Sequence, residues 1–479
     1  MLITWQNRSP PPRAAAMPKK YGSKRSAAAP GASAIFGEAS RSPLEDVTSA
    51  LNNLSLREEE KAKEEDDDDR EQANIIRPHP ALLPLINAYK TDFNKSLIVQ
   101  DWNDILDDGA DVTKIAEASY AEVYRINTAA GSSILKVMQI KLEDLPEPFR
   151  SNTAVEVNSL ISEIRIMNAL TTVPGFVTFK DAHLVQGLIP RCITKAYRLH
   201  SDELKQVGKA SYFPRPSAYD DDTIFLVIEL GDAGYVLDEC EIDTADQLWD
   251  SFIGVTIALA RAEITNNFEH RDLHENNICI KYDPDNLLGY AHNPDTPLKF
   301  GFSGWDVTII DYGLSRATLA NGEVAFNDLE QELSLFHGQD KGIAGHQYDT
   351  YRRMRTHLFD GTRTMHPKPW HTPSSRALNN GHTWSDFIPY TNVLWLRYLL
   401  KMLFSKLKKN IPASDKNTMK NLETETAELR RRLDTRTKID NGAFSSAQDI
   451  LLWMSEQGWV SEEQIAGEGG DETTFLSQS

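Results

Sequence analysis

Residues 268–280 read FEHRDLHENNICI. His270, Arg271 and Asp272 are followed, after four further residues, by Asn277. The segment offers a carboxylate that can take a proton and a carboxamide that can give an oxygen to a hard cation. Its flanks constrain the fold. TADQLWDSFIGVTIALARAEITNNF (244–268) is a predicted long helix with Leu248, Phe252, Val255, Leu259 and Ala262 on one face, and it runs directly into the loop. VTIIDYGLSRA (307–317) is a predicted apolar strand that ends in a turn at Asp311.

Upstream, DVTKIAEASYAEVYRINTAAGSSILKVMQI (111–140) alternates apolar and polar residues on both sides of NTAAGSS. This predicts strand, turn, strand, turn, strand. VEVNSLISEIRIMNALTTV (155–173) places Leu160, Ile164, Met167 and Leu170 at helical spacing, and TIFLVIEL (223–230) reads as a buried strand. Gly231 and Gly234 then mark a junction with the freedom of a hinge. Helices dominate the rest of the chain: a strongly apolar one at 390–409, a charged and exposed one at 421–436, and a packed one at 445–459. The expectation is an α+β fold of two lobes, a small antiparallel sheet before a larger helical part. Their boundaries are set at 95–230 and 231–465.

Residues 1–94 and 466–479 are expected to be disordered tails, because Pro, Ala, Ser and charge there leave little apolar area to bury. The run REEEKAKEEDDDDREQ (57–72) supplies much of a formal net charge of −19. That balance argues against direct nucleic-acid binding and suits a basic partner. Three widely spaced cysteines, Cys192, Cys240 and Cys279, fit a reducing compartment rather than a disulfide framework. No apolar stretch approaches membrane-spanning length, so no membrane association is expected. Lys19, Lys20, Lys24 and Arg25, in an acid-free start to the chain, suggest a nuclear address, with the cytoplasm as second choice.

Phosphoryl transfer from a nucleotide needs phosphates held, a metal held and an acceptor hydroxyl aligned. Lys136, in the strand SILKV, is the candidate for the phosphates, with Glu163 on the following helix as its partner. Asp272 is the candidate base, and Asn277 and Asp311 are candidate Mg²⁺ ligands. His366, His371 and His382 share one loop, where histidines are far more often unliganded than bound to metal.

This set resembles the eukaryotic protein-kinase superfamily, and within it the haspin family. HRDLH at 270–274 has His274 where most protein kinases carry Lys. IIDYGLSR at 309–316 stands in place of the usual D-F-G, and no A-P-E triplet follows. YDTYR (348–352), YTNVLWLRYL (390–399) and FSSAQDIL (444–451) are similar to later haspin segments, so the resemblance covers about 111–458. It implies ATP and Mg²⁺ as cofactors, with Lys136 on the phosphates and Asp272 as the catalytic base beside His274. It places Ile115, Ala116, Val123, Glu229, Gly231 and Gly234 around the nucleotide, with Leu230 as gatekeeper. It implies that Asp349 anchors the catalytic-loop backbone and that Glu117 lies near a basic peptide substrate, a histone tail being one candidate. A monomer is expected.

Two departures stand out. The glycines of the phosphate loop are replaced by Ala116, Ala118 and Ala121. The segment before Tyr348, DKGIAGHQ, lacks the substrate-holding aspartates, for which Asp328, Glu330, Glu332 and Asp340 are candidate substitutes. The first departure keeps open a non-catalytic scaffold. HRDLHENN also resembles the H-x-D-L-H-x-x-N of aminoglycoside-type phosphotransferases, which keeps open a small-molecule kinase.

Overall fold

The computed structural model describes residues 78–466 except 119, 129–130, 143–152, 284–295, 339–342, 379–380 and 413–415. The tail boundary at 94 is corrected. Helix α1 (Leu83–Phe93) buries Leu85 and Tyr89, and Leu82 before it is also in the core. Three apolar residues at helical spacing are enough to dock a segment whose composition suggests a tail. Residues 1–77 and 467–479 lie outside the described residues.

The sheet-rich part comes first in chain order. It comprises β1 (Val99–Asp101), α2 (Trp102–Ile105), β2 (Asp111–Glu117), β3 (Glu122–Thr128), β4 (Gly131–Gln139), α3 (Val157–Leu170), β5 (Phe179–Gln186), α4 (Arg191–Gln206) and β6 (Ile224–Gly231). The strand order is β1-β5-β6-β4-β3-β2. All pairs are antiparallel except β1, which joins β5 in parallel. β2, β3, β4, α3 and β6 stand where the pattern predicts. β5 and α4 give no clear sequence signal, because their apolar residues are interleaved with Lys, Asp, His and Arg.

Pleating sends alternate residues to two different cores. Val123, Lys136 and Ile228 lie opposite one another in register, on the face turned toward α3. Leu135, Val137, Phe225 and Val227 face the other way and pack with Trp102, Ile193 and Ala196.

The helical part contains β7 (Tyr235–Val236), α5 (Ala245–Asn266), β8 (Ile278–Tyr282), β9 (Trp305–Ile309), β10 (Arg316–Thr318), β11 (Val324–Phe326), α6 (Ile343–Asp360), α7 (Tyr390–Asn410), α8 (Lys416–Glu425), α9 (Ala427–Arg432), α10 (Ala447–Glu456) and α11 (Glu462–Ala466). Thr244 and Gln247 form a capping box at the start of α5, which satisfies donors that would otherwise be orphaned there. Asn267, left-handed at φ 43°, ends the helix and turns the chain into the catalytic loop. The segment 421–436 is two helices, α8 and α9, that bury Leu422, Leu429 and Leu433, so it is docked on one side rather than exposed all round.

The junction is tied down rather than loose. Arg125 forks onto Asp232 at 2.9 and 3.2 Å and reaches the Gly234 carbonyl at 3.3 Å. Gly234 has φ 92°, and a Cβ there would fall 2.3 Å from the Ile280 carbonyl oxygen. Close approach to β8, more than hinge freedom, requires this glycine.

Candidate active site

β4 brings Lys136 to the cleft and α3 brings Glu163 to meet it. Their side chains form an ion pair, and Lys136 Nζ also lies 3.2 Å from Asp311 Oδ1. Burial alone would lower the pKa of this ammonium. Asp311 and Glu163 outweigh burial and hold it above the usual lysine range. Burial raises the Glu163 carboxyl, whereas Lys136 overcomes burial at Asp311 and holds that carboxyl below its ordinary value. Asp311 is therefore held in its anionic form beside Lys136. It has φ 65°, in the left-handed region, at the turn that ends β9. Tyr312, next in sequence, is buried against Phe176, Phe268 and His270 and donates its hydroxyl to the Ile309 carbonyl at 3.0 Å. That packing fixes the turn and aims Asp311 at Lys136.

The catalytic loop is held by its neighbours at almost every residue. His270 donates through Nε2 to the Ile310 carbonyl at 3.1 Å, and its Nδ1 accepts the Asp272 N–H at 3.2 Å. Burial lowers the pKa of His270 to about 4, so it is a neutral structural imidazole. Arg271, left-handed at φ 65°, is buried on Glu269 at 3.0 Å and lies over the Trp384 ring.

Asp272 receives the hydroxyl hydrogen bond of Tyr351 from α6. His274 Nε2 stands 3.6 Å from its Oδ1. Asn277 Nδ2 donates to the Asp272 main-chain oxygen at 2.8 Å, which leaves the Asn277 Oδ1 without a partner among the described residues. Burial raises the Asp272 carboxyl to about 6, with His274 and Tyr351 pulling the other way. That value suits a base near neutral pH.

A charged Asp311 carboxylate and the free Asn277 carboxamide oxygen are the hard donors Mg²⁺ prefers. The donor set therefore fits the metal.

The nucleotide-facing residues divide. Ala116 pairs with Val123, and Val123 with Lys136, so all three share one sheet face. Ile115 sits in a register break between Lys114 and Ala116 and is half-buried. The Ala118 N–H closes the loop onto the Ala121 carbonyl at 2.8 Å. Leu230 is on the Lys136 face, and the Gly231 N–H is committed to the Thr178 carbonyl at 2.9 Å. Glu229 is opposite Leu135, on the other face, and its carboxylate lies 3.4 Å from Lys180. Only its main chain is left to meet a nucleotide, because alternation turns the side chain away.

Several expectations are corrected. Asp349 does not reach the catalytic loop, because it pairs with Arg352 on its own helix at 2.7 Å. Asn392 of α7 holds that backbone instead, accepting the His270 N–H at 3.1 Å and donating to the Phe268 carbonyl at 2.9 Å. Glu117 does not present its carboxylate to a substrate. It is 8% exposed, sits 2.6 Å from Lys114 and accepts from Ser211 Oγ and the Tyr212 N–H. Glu330 is clamped by Arg355 at 2.7 and 2.8 Å, so it is no substitute substrate acid. Glu332 stays exposed, Asp328 is half-buried, and Asp340 lies outside the described residues.

His371 Nε2 lies 3.3 Å from the His366 main-chain oxygen, and both rings pack on Trp370. His366 meets Asp360, His371 is buried against Phe336, and His382 lies by Asp386. Tyr351, Asn392 and Lys114 do not stand out in the sequence. A lone amide in the apolar run of α7 and a lysine at an inward position of β2 were the available signals.

A family model described as a haspin like kinase domain matches residues 85–451. The mouse serine/threonine-protein kinase haspin is 30% identical over 355 residues, which is 71% of this chain and 41% of that protein. The Drosophila melanogaster haspin homolog is 29% identical over 307 residues, 62% of this chain and 48% of the homolog. The Bos taurus haspin is 30% identical over 315 residues, 63% of this chain and 36% of that protein. The chain thus spans less than half the length of these curated relatives. A bilobal fold, a Lys136–Glu163–Asp311 trio, a buttressed HRDLH loop and a match over most of the described residues agree. The chain belongs to the haspin-like kinase family.

Proposed function

We propose that the chain is an ATP- and Mg²⁺-dependent serine/threonine protein kinase of haspin type, acting on a basic protein substrate such as a histone tail. The observation that carries this reading is the convergence of Lys136, Glu163, Asp272, Asn277 and Asp311 from four separate segments. In this reading ATP supplies the phosphoryl group and Mg²⁺ offsets its charge. Lys136, kept cationic by its two acids, holds the phosphates. Asp272, oriented by Tyr351 and Asn277, takes the proton from the attacking hydroxyl. His274 sets the electrostatics at the same point, and it is charged only when protonated, unlike the Lys usual there.

The N-terminal basic cluster supports a nuclear, chromosome-associated location, and the acidic charge balance supports work on basic tails. The exposed Glu332 is one described acid still available to such a tail. A scaffold without activity draws support from the glycine-free phosphate loop, although small side chains still admit a phosphate group. The small-molecule reading has lost its support, since the later segments and the family match point to haspins. Incubation of the full chain with labelled ATP, Mg²⁺ and a library of basic peptides tests the reading. Transfer to Ser or Thr in basic peptides is expected, and transfer to small alcohols alone would overturn it.

A further inference from the structure

Away from the catalytic loop, four arginines converge on one cavity of about 380 Å³. Arg353 comes from α6, Arg363 from the loop after it, Arg397 from α7 and Arg436 from the loop after α9. Thr364, Met365, Asp434 and Thr435 complete the lining. One aspartate faces four guanidinium groups, in a chain whose overall charge is strongly negative. Arg353, Arg363 and Arg397 are half-buried, and like charges gathered there repel one another, which favours a compensating anion.

The protein offsets them incompletely. Arg436 forks onto Asp434 at 3.1 and 2.7 Å and so consumes the one carboxylate. Arg363 donates to the Phe444 carbonyl at 3.0 Å and lies over the Tyr390 ring. Arg353 gives Nη1 to Thr435 at 3.0 Å, while its Nε is buried with no hydrogen-bond partner. Arg397 has neither a hydrogen bond nor an ion pair among the described residues. Burial and then the Arg353 charge lower its pKa, and Lys401, one turn further along α7, is lowered by burial and by the same two arginines. The cavity therefore holds unspent donors and uncompensated positive charge.

We propose that this cavity binds the phosphate of a phosphorylated serine or threonine side chain on a protein partner. Guanidinium forks match phosphate oxygens in pairs, and a dianion offsets more charge than a carboxylate does. The cavity is larger than one phosphate group fills, and Met365 and Thr364 offer the remaining room apolar and hydroxyl contacts suited to a peptide around it. None of its lining residues belongs to the nucleotide cleft. The helices that form it also carry Tyr351 and Tyr398, which donate to Asp272 and Glu275 of the catalytic loop. A phosphorylated partner docked here would sit behind the catalytic loop, not in front of it. The proposal does not depend on the phosphoryl-transfer reading.

Fluorescence anisotropy on the full chain tests it, using a labelled phosphoserine peptide, its unmodified twin and inorganic phosphate as competitor. A saturating non-hydrolysable ATP analogue keeps the nucleotide cleft from reporting. The phosphopeptide should bind at least about tenfold more tightly than its twin, and phosphate should displace it weakly. Arg397→Gln should weaken binding about tenfold, the value of one hydrogen bond to a charged group. Arg436→Gln, at a side chain 89% exposed and so harmless to packing, should weaken it in the same direction. Basal transfer to a short unphosphorylated peptide should be unchanged in both variants. Equal affinity for the two peptides, or no loss in either variant, overturns the proposal. So does inorganic phosphate binding as tightly as the phosphopeptide, because the site would then serve a small free anion.

Discussion

In the proposed reaction, Asp272 is where one residue decides the chemistry. Its carboxyl, raised to about 6 by burial, must be ionised to accept a proton. As pH falls through about 6, the base protonates and kcat/KM for a peptide should drop, approaching tenfold per unit. A profile flat between pH 5 and 7 would contradict this role. Tyr351 lowers that pKa by donating to the carboxylate, so Tyr351→Phe should move the acid limb to higher pH and reduce kcat about tenfold. A loss of rate with an unmoved limb would mean that Tyr351 serves packing alone. Asp272 and Asn277 were legible from their spacing, and Lys136, Glu163 and Asp311 from the order and type of the elements that carry them. Tyr351 and Asn392 were not, since their partners lie 79 and 122 residues away and no local pattern encodes that distance.

The β2–β3 hairpin illustrates how an element can differ from its family pattern and still be held. Lys114 is 1% exposed and sits 2.6 Å from Glu117 and 2.5 Å from Glu122, with the Tyr124 hydroxyl donating to Glu122. Glu117 in turn accepts from Ser211 and Tyr212, just beyond α4. The base of the phosphate loop is thereby fastened to a neighbouring segment, and alanine in place of glycine restricts the loop further. Lys114→Met leaves two carboxylates buried without their cation. It should cost about 3–5 kcal/mol in urea unfolding and raise KM for ATP more than it changes kcat. A cost below about 1 kcal/mol would show the network to be dispensable. The alternation of this hairpin was legible in the sequence; the buried charge was not, because a lysine in a strand ordinarily reads as surface.

A similar tie supports α3. Arg165 links Asp92 at the end of α1 to Glu323 beside β11, and Ser162 donates to the Phe326 carbonyl at 3.0 Å. The helix that carries Glu163 is thus braced by two segments, one of which has the composition of a tail.

Over the whole molecule, the succession of sheet and then helices was readable from periodicity, and with it the two-lobed organisation. The extent of the ordered chain was not, because α1 is held through contacts with α3 and β5, which are distant in sequence. A chain organised in this way should gain stability from nucleotide. Mg²⁺–ATP well above its Kd binds the folded state alone and should raise Tm by about 2–5 °C. Lys136→Met should abolish most of that rise. An unchanged Tm in the parent chain would favour the scaffold.

The central claim is that Asp272 serves as base for transfer of the ATP γ-phosphoryl group to a protein hydroxyl. Its most direct test is single-turnover transfer from labelled ATP to a basic peptide, comparing the parent chain with Asp272→Asn at equal ATP occupancy. The rate should fall by about 10²–10⁴ in the variant while ATP binding persists. Equal rates in the two proteins would contradict the account.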